Sequence, residues 1–407
     1  MMRNRKIWTP RGLSSAALLT VAGVALGWLC VRTTIAEVLP ADSATLSQVG
    51  ASSPETVLAR ATTALVQRKG ILDDRTLAEV RRAALAAPLD ARAFLILGHQ
   101  QLLDEQPDRA VATLEAGQRL DPRQRLIHLL LADRYLRSGR YDDAALQFAL
   151  LSRLVGSTRG PIADAMAQMS LAPETRNAMR HTLRGDPRLE REVFTVLAQS
   201  DTPPATLFAL ASPTAQRDAA NKESWGQPLV QRLIAQGQYA DARAAWRRIY
   251  RPPAGEADAT IVNARFGQPL NIPPFDWKLV AGGAGAADIR NGALTVDYYG
   301  RDNGDLASQL LLVRPGRYRF DFTIDGGKAA NATGLFWTLA CAAKGDRSLM
   351  NIPVTVRAAR RRVGTDLVVP NDCPAQTLTL RGEAAEFPTP VNVTIRDLSL
   401  RPLERQP

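Results

Sequence analysis

The sequence predicts a multidomain chain, α then β: a single transmembrane helix, an α-helical solenoid and a C-terminal antiparallel β-sandwich. Three observations predict it. Residues 13–31 form an uncharged, largely apolar run, and two later stretches repeat each other at a spacing of 34 residues. Beyond residue 272 the apolar period changes from three-to-four to two. On this reading the 407 residues divide into a cytoplasmic N-terminus (1–12), a signal-anchor helix (13–31), a linker (32–54), the solenoid (55–252), a second linker (253–272) and the sandwich (273–407).

Leu13 to Val31 is long enough, as a helix of roughly 28 Å, to cross a bilayer core of about 30 Å. Arg3, Arg5, Lys6 and Arg11 precede it, and no acidic residue occurs before Glu37. The positive-inside bias therefore holds the N-terminus in the cytoplasm and exports the remainder. For a bacterial inner membrane this makes a single-pass protein with its bulk in the periplasm. A cleaved signal peptide, with Ala36 as the cleavage residue, is the competing reading. Gly23 and Gly27 form a G-x-x-x-G pair that permits close helix approach and hence a homodimer. The linker that follows is rich in Ala, Ser and Thr, and reads as a spacer.

The net charge of +11 comes mostly from arginine spread along the chain, which fits solvated helix faces or, as the alternative, association with acidic lipid or acidic polysaccharide. No basic stripe with interleaved aromatics is present, so nucleic acid is not an expected partner. Outside the apolar run only Cys341 and Cys373 remain. In an oxidising compartment they suggest one disulfide closing a loop of about 33 residues; the alternative is two buried thiols that never meet.

From residue 55 to about 251 apolar residues recur at helical intervals. Phe94, Leu97, Gly98, Ala110 and Leu114 are echoed by His128, Leu131, Ala132, Ala144 and Phe148, and Pro88 by Pro122. A period of this length means stacked helical hairpins, each burying the face of its neighbour, and such stacks usually bind other proteins. Gly98, Ala110, Ala132 and Ala144 stand where helices press together and a larger side chain would clash. With Gly117, Pro122 and Tyr135 these residues resemble the tetratricopeptide-repeat family. Gln236 to Ala242, followed by Trp246, parallels Ser138 to Ala144, followed by Phe148. Gln101, His128 and Gly156 depart from the family pattern. The resemblance implies that the first helix of each hairpin lines an inner face, which makes Arg92, Leu95, His99, Leu126, Leu129, Asp133 and Arg137 candidates for partner binding.

In the last third, Tyr318, Phe320, Phe322 and Ile324 alternate with Arg317, Arg319, Asp321 and Thr323. Leu378 and Leu380 alternate with Thr377, Thr379 and Arg381, and Val391, Val393 and Ile395 with Asn392, Thr394 and Arg396. This is half-buried antiparallel strand, and seven to nine such strands make a sandwich. Trp337, Leu339 and Cys341 share one strand face, which points Cys341 inward toward the region of Cys373. Together with the opening Pro273-Pro274-Phe275-Asp276-Trp277, the segment resembles jelly-roll, carbohydrate-binding modules and the C-terminal modules of repeat-containing bacterial envelope proteins. That resemblance brings no binding residues with it.

No nucleophile motif, metal-binding helix motif or phosphate loop occurs, so no enzyme, cofactor or metal is expected. Asp302-Asn303-Gly304-Asp305 reads as turn chemistry or as hard oxygen ligands for calcium. Trp277, Tyr298 and Tyr299 read as core or as a sugar platform. Arg357, Arg360, Arg361 and Arg362 are the densest basic cluster, at a strand edge or facing an acidic ligand. The expected function is a membrane-anchored, non-enzymatic scaffold of the bacterial cell envelope. It would engage envelope proteins through the repeats, in surface polysaccharide assembly or export. The alternative is a carbohydrate-binding protein whose helical region is a spacer.

Overall fold

A computed structural model describes residues 53–68, 70–156, 160–256, 258–267, 272–325, 334–342, 347–355, 359–384 and 390–403. The apolar run at 13–31, with Gly23 and Gly27, lies outside the described residues. Among the described residues no helix is long and apolar enough to cross a membrane. The chain forms two compact units, Met1–Gly185 and Asp186–Pro407, so the division falls within the helical region and not at its end.

The first unit is helical: α1 (Pro54–Gln67), α2 (Asp74–Ala86), α3 (Ala91–Leu103), α4 (Pro107–Leu120), α5 (Arg125–Arg137), α6 (Tyr141–Val155), α7 (Pro161–Leu171) and α8 (Arg176–Arg184). Short polar residues start several of them. Ser53, Asp73 and Asp90 each accept a backbone N–H of the first turn, which satisfies donors the helix itself leaves unpaired. Pro54, Pro107 and Pro161 occupy first-turn positions that need no N–H.

Small residues set the spacing between α3, α4, α5 and α6. A Cβ on Gly98 would lie 2.7 Å from Leu114 Cγ, and one on Gly117 would lie 2.8 Å from Phe94 Cβ. Ala110, Ala132 and Ala144 are fully buried. His128, at a position where an aromatic is expected, is also buried. Its Nε2 lies 2.8 Å from the Pro122 carbonyl and its Nδ1 2.7 Å from Gln147 Oε1, so an imidazole fills the aromatic's place with both nitrogens partnered.

Two hairpin turns matched in sequence share one backbone shape. Gly139 and Gly237 both take φ of +74°, and the next residue's N–H returns to the preceding helix: Arg140 to Tyr135 O at 2.9 Å and Gln238 to Leu233 O at 2.8 Å. The α3–α4 turn repeats this with Glu105 at φ +56° and Gln106 N–H donating to Gln101 O at 2.8 Å. Glu105 therefore holds a left-handed conformation that glycine adopts at lower cost.

The second unit opens with α9 (Pro187–Gln199), α10 (Pro204–Leu210), α11 (Pro213–Asp218), α12 (Gly226–Ala235) and α13 (Tyr239–Tyr250). They close on Trp225, which is fully buried against Phe194 and Phe208 and donates its indole N–H to Ala215 O. Trp246 of α13 donates to Ile272 O at 2.8 Å and meets Phe275 edge-on, which ties these helices to the start of the β region. The compact unit includes α9–α13 together with the sandwich.

Among the described residues ten strands follow: β1 (Lys278–Leu279), β2 (Gly285–Arg290), β3 (Ala293–Tyr298), β4 (Gly304–Leu311), β5 (Gly316–Ile324), β6 (Leu335–Cys341), β7 (Ser348–Pro353), β8 (Arg361–Val369), β9 (Gln376–Gly382) and β10 (Val391–Pro402). They form two five-stranded antiparallel sheets, ordered β1-β4-β9-β6-β7 and β2-β3-β10-β5-β8. Between them Trp337 packs its ring against Trp277, Phe320 and Phe322, with centroids 5.8–6.4 Å apart. Cys341, at the end of β6, is disulfide-bonded to Cys373, before β9.

Two stability changes are expected. Glu105→Gly raises unfolding free energy by about 0.5–1 kcal/mol, measured by denaturant titration, because it relieves a left-handed non-glycine residue. Replacing Cys341 and Cys373 together by serine lowers it by roughly 3–4 kcal/mol, from the loop-closure entropy returned to the unfolded chain.

Candidate functional site

The alternation of β6 places Leu335, Trp337, Leu339 and Cys341 in the core and turns Phe336, Thr338 and Ala340 outward. The register then assembles a row across all five strands of the first sheet. Thr338 stands beside Asn351 on β7 and Thr379 on β9, Thr379 beside Ser308 on β4, and Ser308 beside Lys278 on β1. At strand spacing the row is about 19 Å long. Asn351 and Lys278 are exposed at its ends, Ser308 and Thr338 are half-buried, and Thr379 is 9% exposed at its floor. Thr338 Oγ1 donates to the Thr379 carbonyl at 3.3 Å.

A parallel row flanks it. Phe336 lies between Pro353 and Arg381, and Arg381 pairs loosely with Asp305 at 3.9 Å. The first row is a shallow strip of hydroxyl and amide groups, uncharged except at Lys278, with the Phe336 ring and the Arg381–Asp305 pair alongside. Hydroxyls donate and accept, as does a carboxamide, so the strip matches a ligand that is itself rich in hydroxyls.

The other sandwich candidates fall elsewhere. Trp277 is buried and donates its indole N–H to Asn263 O, and Tyr298 is buried with its ring over Gly382, where a Cβ would lie 2.3 Å from the ring. Both belong to the core and not to a sugar platform, because each ring fills space between strands. Burial, together with Asp302 and Glu383, raises the Tyr298 phenol above its usual pKa. Tyr299 alone of the three is exposed, at 45%. In the 302–305 turn, Asn303 Oδ1 accepts from Ala384 N–H and the Asp302 carbonyl accepts from Tyr298 OH, while Asp305 faces Arg381. Among the described residues no group of three or more His, Cys, Asp or Glu is placed to hold a metal ion.

The helical candidates separate into two sets. Leu95 is fully buried with Leu114, Ile127 and Leu131, so it is a core residue and not a groove residue; α5 packs over the face it occupies. His99 is half-buried with Nε2 3.0 Å from Gly70 O, which anchors the turn after α1. Leu126 packs partly into the core. Leu129, Asp133 and Arg137 share an exposed stripe of α5, and the last two form an i,i+4 ion pair at 2.9 Å. Arg92 is clamped by Asp90 through two charge-assisted bonds and lines a surface hollow of about 610 Å³ with Glu55, Leu89, Leu120 and Gln124. The seven residues therefore do not form one surface.

The hydroxyl row was invisible in sequence because its five members lie on five strands between residues 278 and 379. The one available signal was the outward phase of Thr377-Thr379 and Thr338 in period-two segments.

No protein-family model and no curated protein matches the chain. Among solved structures, the sandwich is similar to carbohydrate-binding modules. A CBM4 module is 16% identical and covers 35% of this chain and 100% of its own, with a TM-score of 0.28. The N-terminal cellulose-binding domain of Cellulomonas fimi β-1,4-glucanase C is 14% identical over 32% of this chain and 90% of its own, with a TM-score of 0.24. A family 16 carbohydrate-binding module is 12% identical over 35% and 98%, with a TM-score of 0.25. Similarity at this level assigns no ligand.

The two sets of helical residues should respond differently to truncation. Leu95→Ala is expected to cost about 2–4 kcal/mol of stability and His99→Ala about 1 kcal/mol, whereas Leu129→Ala should stay within about 0.5 kcal/mol. Thermal and denaturant unfolding of the three variants checks this ordering.

Proposed function

We propose that the C-terminal sandwich is a non-catalytic binding module for a neutral glycan, which lies across the first sheet over Lys278, Ser308, Thr379, Thr338 and Asn351. What supports a neutral, hydroxyl-rich ligand is the contrast between the two outer faces. The second sheet carries Arg–Asp pairs along β5, β8 and β10, while the row on the first sheet holds small hydroxyl and amide side chains. The short side chains of Ser308, Thr379 and Thr338 leave a trough at the centre of the row, between Lys278 at one end and the Arg381–Asp305 pair to the side. Phe336 offers an apolar face beside it for a sugar ring.

We also propose that the helical region acts as a protein-binding scaffold in the same chain. The hollow beside Arg92 supports this, since Leu89 next to it is 78% exposed and acidic and basic groups surround it. In this reading residues 13–31 anchor the protein in a bacterial inner membrane, and the remainder works in the periplasm in polysaccharide assembly or export. The Cys341–Cys373 disulfide supports an oxidising compartment.

The test is affinity electrophoresis of the full-length chain in gels cast with soluble neutral polysaccharides. At least one should retard the protein. Thr338→Arg, which puts a long cation into the middle of the row, should weaken that retardation by about tenfold or more while the unfolding midpoint stays put. Retardation unchanged in Thr338→Arg, or absent with every neutral polymer, sinks the glycan assignment.

A further inference from the structure

The second sheet has a different chemistry on its outer face. Because Phe320 and Phe322 point into the core, Asp321 between them points outward, yet its side chain is only 6% exposed. Its register partners explain how. Gly364 lies opposite it on β8, and a Cβ there would lie 2.2 Å from Asp321 Oδ1, so the carboxylate rests against bare backbone. Three guanidinium groups converge on it: Arg401 Nη2 at 2.9 Å, Arg319 Nε at 3.3 Å and Arg362 Nη2 at 3.6 Å. Arg319 also holds Asp366 at 2.7 Å.

One buried carboxylate thus gathers three arginines from three strands. Burial alone would raise its pKa, but Arg401, Arg362 and Arg319 outweigh burial and hold it below the usual carboxylate range. The arginines themselves stay 45–62% exposed. Each has five N–H donors, and only a few of these are taken up by Asp321 and Asp366. Three positive and two negative groups leave a local charge of +1, raised to +2 by Arg317 on the same face of β5.

We propose that this face, with Arg319, Arg362 and Arg401 held in place by Asp321, is a second binding surface that takes the carboxylate groups of an acidic glycan. Planar guanidinium forks bind carboxylates through paired hydrogen bonds, and a fixed fork loses little entropy on binding. The ligand is a sparsely charged polymer and not nucleic acid, because Asp321 and Asp366 sit among the arginines and would repel closely spaced phosphates. The outward positions of β5 and β8 also carry no aromatic ring for base stacking. A membrane fits less well, since Val368 is the single large apolar side chain exposed on those two strands among the described residues.

Polygalacturonate is the probe, tested against the full-length chain by surface plasmon resonance at two salt concentrations. Binding should occur, weaken as salt rises, and fall about tenfold or more in Arg362→Gln/Arg401→Gln, measured at a temperature where circular dichroism shows the variant folded, since Asp321 loses two of its three partners. Asp321→Asn should also weaken binding although it removes a negative charge, because the arginines lose the group that positions them; tighter binding in that variant overturns the organised site. Gly364→Ala, which displaces the Asp321 carboxylate, should match Asp321→Asn. Thr338→Arg, on the opposite sheet, should bind polygalacturonate as the parent does. Loss of binding in Thr338→Arg, no effect of the double arginine change, or equal affinity for single-stranded DNA or for phosphatidylglycerol vesicles would each overturn the proposal.

Discussion

The aromatic contact at the centre of the sandwich governs the rest of the second unit. Trp337 from one sheet meets Phe320 and Phe322 from the other, and Trp277 closes the cluster from the segment that leads into β1. Side chains alternate along a strand, so placing these rings inward leaves no freedom for their neighbours. Thr338 must face out on one sheet and Asp321 must face out on the other. Both proposed surfaces are therefore consequences of how one ring cluster packs, and a one-residue slip of β5 or β6 would bury the wrong set.

The two outer faces use this constraint in opposite ways. On the first sheet the outward residues at the centre of the row, Ser308, Thr379 and Thr338, are short, and the row from Lys278 to Asn351 stays shallow. On the second, long arginines cross the strands and meet over a carboxylate that Gly364 makes room for. Replacing a partner there leaves a nearly buried charge under-compensated, which is costly; adding a charge to the first face interrupts a neutral strip. The same sandwich thus offers a hydroxyl surface and a cationic surface, on opposite sides of one core.

In the helical unit the governing term is steric. Gly98 and Gly117 let α3 and α4 approach until Leu114 and Phe94 touch backbone, and the fully buried alanines at 110, 132 and 144 continue that close packing. Left-handed turns at Glu105 and Gly139 send the chain back along the preceding helix. This packing also explains why Leu95 is not available to a partner: a helix whose neighbour approaches this closely loses the flank that an isolated hairpin would expose.

The change from a helical to a strand region, the small residues at helix crossings, the inward phase of Phe320, Phe322, Trp337 and Cys341, and the nearness of Cys341 to Cys373 were all legible in the sequence. Each depends on a local period or on residue size, which a linear reading carries. Tertiary structure alone decided which residues stand side by side. Sheet neighbours are not chain neighbours here, since β4 lies beside β9 and β10 lies between β3 and β5. Alternation tells that Thr338 and Thr379 face away from the core, but only strand order makes them adjacent. It likewise marks Asp321 as outward, while its burial required Gly364 and three arginines from β5, β8 and β10 to arrive at the same place. Trp277 and Tyr298 went the other way: aromatic rings that a sequence leaves open as platform or core were drawn inward, because burying them removes far more apolar surface from water than leaving them on a face.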